Sequence, residues 1–490
     1  MPEIVIRNAT VYDGSGTEPI QTDIGIDECF ICNVGNPGNG KTEIDATGLA
    51  LAPGFIDVHT HDDVATIDNP EMPFKIFGGV TSCIVGNCGM GCAPVENTPR
   101  SGGILQRKES FPIFQSFLAY IEYLQSHKSS VNVGVLAGFG TLREFVMGQK
   151  KTEPTQAQLR QMKNLLADGI SEGLLGLSTG LIYEPDIFAT TEEIRDVASI
   201  MAGTGAPYVT HLRDEGKGLI NSIEEALDIG EKAGVPVQLS HHKAAGSEAW
   251  GSVQDSLAMI EEAQARGTDI HADQYPYTAG STVLKALVPK IAAGSYPPEV
   301  VVVSGAPNHP EWEGCTLPEV GTLMRVPWDA VVSRVLDLEP DVTVIAHIMN
   351  EEDVQEVMRH PSTMIGSDGI PVLGGKPHPR LYGSFARVLG RYARDLGLFS
   401  VSEAVYRMTG LPAKKFGLTG RGVIREGAYA DVVIFNPETI IDRGTFENPH
   451  QYPDGIKQVF VNGSLTVRDG IHTGVRNGVF LRRCARPHNL

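Results

Sequence analysis

FIDVHTH, residues 55–61, reads as a short β-strand that ends in two histidines. Phe55, Ile56 and Val58 favour extended backbone, and His59 and His61 stand two residues apart, so on a strand their imidazoles fall on one side. Outward from this stretch one theme recurs: a β-rich apolar run ending in polar residues or glycine, followed by a helical stretch. TSCIVGN (81–87), NVGVLAG (132–138), GLLGLST (173–179), PYVTHL (207–212), PVQLSHH (236–242), DIHADQYPY (269–277) and STMIGSD (362–368) bring the runs to eight. Helical patterns charged on one face separate several of them, as in TQAQLRQMKNLLADGISEG (155–173) and SIEEALDIGEKAG (222–234). Alternating strands and helices build a parallel sheet, and eight units predict an α/β chain whose residues 55–414 close into a (β/α)8 TIM-type barrel.

Residues 1–54 and 415–490 read differently, as short strands with turn residues (REGAYADVVIFNPETI, GIKQVFVNGSLTVRDG). They predict a small β-sandwich domain built from both chain ends. The segment from about 283 to 345 is rich in Pro, Gly and Trp and too long for a plain connection between the seventh and eighth strands, so it is expected to form a lid or pocket wall. Composition is that of an ordinary globular chain, with 41% hydrophobic and 20% charged residues in 490. The balance of 40 basic against 59 acidic residues, −19 net, argues against nucleic acid or an anionic membrane as a partner and for a small molecule. The first residues carry no basic and apolar leader, and no apolar run approaches the roughly 18 residues of a membrane span, so a cytoplasmic location is expected.

Seven cysteines in so long a chain do not make a disulfide scaffold, and a cytosolic setting keeps them reduced. CFIC (29–32) has the spacing of half a zinc site, but no second such pair follows, and it alternates inside an expected strand. GVTSCIVGNCGMGCAP (79–94) holds Cys83, Cys88 and Cys92. For Cys88 the residues alone leave packing, nucleophilic attack and metal binding open. Barrel enzymes place their chemistry at the C-terminal ends of the strands. Here those ends carry His59, His61, Cys88, His211, His241, Tyr275 and Asp368. Imidazoles and a carboxylate offered by several strands toward one mouth predict a metal site. His241 and His242 are neighbours and face opposite ways on a strand, so His241 is the expected ligand and His242 the structural residue. The remaining histidines are expected in solvated or hydrogen-bonded roles. Arg213, Lys243 and Arg380 are expected at the same mouth, where cations can hold a substrate carboxylate.

APGFIDVHTHDD, GVTSCIVGNCG, GLSTGLIYEP, THLRDEG, LSHHKAAG, DQYPYTAGST, IGSDGIP, KPHPRLYGSFARVLGRY and GVIREGAYADVVIFNP together resemble the amidohydrolase superfamily, and within it the N-acyl-D-amino-acid deacylase (D-aminoacylase) family. The resemblance implies a metal-dependent hydrolase acting on linear amides. It would release a carboxylate and a free D-amino acid with the help of Zn2+. Many amidohydrolases bridge two metals with a carboxylated lysine on the fourth strand, but GLLGLSTG has none. The resemblance gives that place to the Cys88 thiolate. It implies one tight zinc on Cys88, His211 and His241, and a second, weaker position on His59, His61 and Asp368 that shares Cys88. Asp368 would also be the general base. Lys243, Arg380 and Tyr275 would hold the substrate α-carboxylate, and Tyr183 would line the pocket. Cys83 and Cys92 match no ligand position and are expected to pack. The insert stretch 295–314 contains no Lys or Arg, which predicts neutral, largely apolar side chains on the substrate, although Lys285 and Lys290 lie just upstream. Deacylation of N-acyl-D-glutamate or N-acyl-D-aspartate, a ring-opening activity of the dihydroorotase or hydantoinase kind, and a non-catalytic barrel are the alternatives.

Overall fold

The computed structural model describes residues 1–96, 104–105, 107 and 110–484. All eight expected runs contain a strand: Phe55–Asp57, Val80–Val85, Asn132–Val135 (continued by Ala137–Gly138), Leu177–Gly180, Tyr208–His211, Val237–Leu239, Ile270–Gln274 and Thr363–Ile365. Each pairs in parallel with the next. The ring closes between the eighth and the first through a parallel bridge from Thr60 to Gly369. Its backbone bonds run from Asp368 N–H to His59 O (2.7 Å) and from His61 N–H to Gly369 O (2.9 Å). Valine, isoleucine and leucine dominate these strands and are buried, as expected of parallel strands covered by helices on one side and filled by side chains on the other.

The helices follow from local chemistry. Gln156–Ser171 starts at a capping box in which the Thr155 hydroxyl accepts from Gln158 N–H and the Gln158 side chain accepts from Thr155 N–H. Its Met162, Leu166 and Gly169 face the core, each large side chain contributing on the order of 2 kcal/mol by leaving water. Leu219–Ala233 ends at Gly234, whose φ of +70° is the left-handed cap that glycine adopts without strain. Within that helix a Cβ on Gly230 would stand 2.1 Å from Val237 Cγ2, so only glycine lets the helix lie this close to the sixth strand.

The chain ends build one continuous, curled sheet around a core of their own. Strands between Ile4 and Pro53 and between Val432 and His472 share it, joined by antiparallel pairing of Ala50–Pro53 with Val432–Phe435. The bridge from Phe30 to Tyr429 folds the sheet back over its own core of Ile6, Ile24, Leu51, Val432 and Phe460. One sheet can therefore enclose that core by curling. The end of the chain also leaves it, since Phe480–Leu481 pairs in parallel with Val133–Gly134 of the barrel.

The long segment after the seventh strand is ordered. Gly280–Val283, Thr343–Ala346 and Val301–Gly305 form an antiparallel sheet with Thr343–Ala346 in the middle, accompanied by helices Leu284–Ala292, Leu317–Met324 and Trp328–Leu338. Among the described residues no helix is long and apolar enough to cross a membrane.

Candidate metal centre and substrate cavity

Two strands stop short of their histidines. The first ends at Asp57 and the sixth at Leu239, so His59 and His61 flank the bridge residue Thr60 beyond the first strand and His241 stands on the turn after the sixth. Three residues at the mouth have left-handed backbones: Cys88 (φ +52°), His241 (φ +36°) and Asp368 (φ +49°). Non-glycine residues are rarely found there, at a cost of about 1–3 kcal/mol each, and such strain concentrates where side chains must be aimed.

The aimed side chains converge. Cys88 Sγ lies 3.4 Å from His59 Nε2 and 3.8 Å from both His211 Nδ1 and His241 Nε2. Asp368 Oδ1 lies 3.3 Å from His61 Nε2 and 3.5 Å from His59 Nε2. Three sets of buried donor atoms each fit within 4.8 Å: His59, His61 and Cys88; Cys88, His211 and His241; His59, His241 and Asp368. A thiolate with imidazoles is a donor set that suits zinc. The far nitrogens support it, because His59 Nδ1 faces Asp273 Oδ1 at 3.3 Å and His241 Nδ1 faces Glu215 Oε1 at 2.9 Å. A carboxylate behind an imidazole fixes the tautomer that turns a lone pair toward a metal.

Electrostatics favours the ionised acids of the cluster, and their charge in turn, against burial, raises the imidazoles of His59, His61 and His241 above their ordinary value. Burial raises the Cys88 thiol, but the charge on His59 and hydrogen bonds from His211 and His241 outweigh it and hold the group well below its ordinary value. Burial likewise opposes ionisation of Asp368, and Arg380, His241 and His61 keep its carboxyl well below the usual carboxylate range. Glu215 is held low in the same way by Lys243, His211 and His241.

Arg380 Nη2 donates to Asp368 Oδ2 (2.9 Å) and to Ser281 O (3.1 Å), while its Nε and Nη1 are buried with no hydrogen-bond partner. The Tyr275 ring lies 4.4 Å beneath the guanidinium. Lys243 Nζ reaches Glu215 (2.6 Å) and His241 Nδ1 (2.7 Å). The Tyr183 hydroxyl meets Thr282 Oγ1 at 2.9 Å, joining the fourth-strand loop to the insert. Arg213 is the exception among the expected residues. Its guanidinium makes a two-bonded pair with Glu225 (2.9 Å each) and donates to the carbonyls of Ile187 and Ala189, so it braces neighbouring segments instead of joining the cluster. His242 is buried against Ser256 (2.8 Å), and Cys83 and Cys92 pack in the core.

A cavity of about 710 Å³ opens on Cys88, with Met90, Ile182, Tyr183, Val283 and Ala286 in its wall. Lys151, Glu184 and Lys285 also line it, and both lysines face Glu184, at 3.1 and 3.5 Å. Gly89 holds the Cys88 turn in place: its N–H donates to Ser178 Oγ (3.1 Å), and a Cβ there would stand 2.0 Å from Asp186 Oδ2. The sequence reading passed over Glu215 and Asp273. Glu215 stands four residues beyond His211 in THLRDEG, and Asp273 lies one residue before the end of the seventh strand, so in the sequence each looks like an ordinary loop or strand acid.

A thiolate and imidazoles on the strand ends of a closed parallel barrel define a metal-dependent barrel hydrolase. Residues 42–467 match the amidohydrolase family, and the chain belongs to it. It is 38% identical over 488 residues to the D-aminoacylase of Alcaligenes xylosoxydans xylosoxydans, covering 99% of this chain and 98% of that one. A solved D-aminoacylase, from work on the functional role of its binuclear metal center, superimposes with a TM-score of 0.91 at 38% identity over 99% of this chain and all of that one. The N-acyl-D-glutamate deacylase of Bordetella bronchiseptica, solved with zinc and a phosphonate inhibitor, gives a TM-score of 0.90 at 34% identity over 98% and 99% of the two chains. The barrel with a small second domain is shared by these structures.

Proposed function

We propose that the protein hydrolyses the amide bond of N-acyl-D-amino acids, releasing a carboxylate and the free D-amino acid. The observation that carries this reading is Cys88 Sγ standing between His59 on one side and the His211–His241 pair on the other. Cys88, His211 and His241 would hold a tight zinc, and His59, His61 and Asp368 would offer a second, weaker position with Cys88. Bound there, zinc supplies a Lewis acid to the scissile carbonyl. Asp368 Oδ1 takes the proton of the attacking water and passes it to the leaving amine. Arg380, with two buried donors unpaired, receives the α-carboxylate, and Lys243 and Tyr275 complete that subsite. With the carboxylate and the carbonyl both fixed, one configuration at Cα directs the side chain into the cavity, and Tyr183 lines its path.

Beside Cys88 that side chain meets apolar walls, with Arg107, Lys151, Glu184 and Lys285 also lining the cavity. Cys88, Ile104, Tyr183, Ile370 and Val372 pack together with Met90, Ile182, Val283 and Ala286 against them. Lys285 is exposed beside Glu184, and Lys290 is paired with Asp214 at 2.6 Å, so neither supports an inward-facing cation. A second carboxylate buried there unpaired would cost several kcal/mol. The reading is therefore of neutral, largely apolar D-residues. Residues 55–414 form the catalytic unit, the insert walls the cavity, and the two chain ends supply a domain that takes no part in the chemistry.

The test is turnover of matched N-acetyl-D-leucine, N-acetyl-L-leucine and N-acetyl-D-glutamate by chelator-stripped and zinc-restored protein. Zinc-dependent release of D-leucine is expected. Equal rates on the L-substrate would sink the proposal, and a clear advantage for D-glutamate would overturn the apolar assignment alone.

A further inference from the structure

We infer that Lys75, on the short helix Pro73–Ile76 between the first and second strands, is a positioning residue that aligns His59, His61 and Asp368 as one unit. This rests on the roles proposed above for those three residues. Lys75 is 1% exposed, and its Nζ lies 2.7 Å from Asp57 Oδ2, 2.7 Å from Ser367 Oγ and 3.4 Å from Asp62 Oδ2. Each partner flanks a different member of the unit. Asp57 stands two residues before His59, Asp62 directly after His61, and Ser367 directly before Asp368.

Two of the partners, Asp57 and Ser367, are themselves tied to the backbone that aims those side chains. Asp57 Oδ1 accepts the N–H of Ser367 (2.8 Å) and of His59 (3.4 Å), and Asp57 Oδ2 accepts the Ser367 hydroxyl (2.6 Å). Ser367 Oγ in turn accepts the N–H of Gly369 (3.0 Å), beside the bridge that closes the barrel. Gly369 is closely packed, since a Cβ there would stand 3.0 Å from Lys75 Nζ, Ser367 Oγ and Leu381 Cδ1, and those neighbours would have to give way. Stability alone gives little reason for such a cluster, because an apolar side chain of similar volume serves a core at least as well as a buried ion pair. A charge that must sit between three carboxyl and hydroxyl groups fixes their relative positions, and with them the left-handed backbone at Asp368. No comparable link runs from Lys75 to Cys88, His211 or His241 among the described residues.

The experiment uses Ser367→Ala, which removes one hydroxyl and leaves the Lys75–Asp57 pair, together with Lys75→Met. Zinc is titrated into chelator-stripped protein, and kcat and KM are measured on the zinc-restored enzyme. The expected result is a first equivalent bound within twofold of the parent, a second weakened at least tenfold, and kcat lowered at least tenfold with KM within twofold. Where the parent takes up a single equivalent, the kcat ratio decides alone. Unchanged kcat and second-equivalent affinity in Ser367→Ala, or equal weakening of both equivalents, overturns the inference even if Lys75→Met fails to fold. Asp368→Asn, run alongside, separates the two readings. If it keeps near-normal turnover, Asp368 is not the base, and the second-equivalent affinity, or the kcat ratio where a single equivalent binds, still decides the role of Lys75.

Discussion

Glu215→Ala should weaken zinc binding by unsettling His241 from behind. Glu215 Oε1 accepts from Lys243 Nζ at 2.6 Å and faces His241 Nδ1 at 2.9 Å, while Lys243 Nζ itself stands 2.7 Å from that same Nδ1. With the carboxylate present to accept Nδ1–H, a metal at this site would meet a lone pair on Nε2. Remove the carboxylate, and the ammonium becomes the donor to Nδ1, which drives the imidazole proton onto Nε2, where a ligand needs a lone pair. Loss of a group that orients a ligand typically weakens metal binding 10- to 100-fold, or about 1.4–2.7 kcal/mol. Folding should suffer separately by about 3–5 kcal/mol, since one partner of a buried pair is left alone. Glu215→Gln keeps an oxygen that can accept from Nδ1–H, so its zinc affinity should fall less than tenfold. Competition with a chromophoric chelator measures all three proteins at one pH. If the alanine variant held zinc within threefold of the parent, the tautomer argument would be refuted.

Cys88→Ala should lose zinc and activity together, which metal analysis of the purified protein checks. Gly89→Ala meets both a left-handed backbone (φ +74°) and Asp186 Oδ2 at 2.0 Å, so a loss of at least about 1–3 kcal/mol is expected in chemical denaturation. Arg213→Ala should leave KM within about threefold, because its guanidinium is spent on Glu225 and two carbonyls; a KM rise of the size expected for a lost carboxylate contact would return it to the substrate site.

The barrel was legible because period and composition agree along the whole chain. Eight apolar runs each end in polar residues, and helical patterns such as 155–173 carry their own caps. The convergence of Cys88, His59, His61, His211, His241 and Asp368 was legible through residue type at strand ends. Glu215 and Asp273 were not, since a carboxylate behind a histidine looks in sequence like any other loop or strand acid. Arg213 was misplaced for a related reason: its partner Glu225 lies twelve residues on, in a helix whose face toward the strand ends only the fold reveals. Lys75 is the extreme case, with a partner 292 residues away in Ser367.

Strand alternation chose His241 over His242 correctly, yet the structure reaches that outcome by another route. The sixth strand has already ended at Leu239, so alternation does not operate at residue 241. Instead His241 takes a left-handed backbone, its N–H donating to Asp273 Oδ1 (2.8 Å), and Asp273 also holds the sixth strand through Gln238 (2.9 Å). Asp368 reaches the cluster in the same way, turned by left-handed backbone just past its strand and tied to His59 O. A strand running on would carry successive side chains to opposite faces and further along the barrel axis. A turn with a strained residue at its head brings side chains from different strands to one depth, where a single ion can be shared. The strain at Cys88, His241 and Asp368 and the convergence of their donor atoms are therefore one feature of this fold, and easing the first would disperse the second.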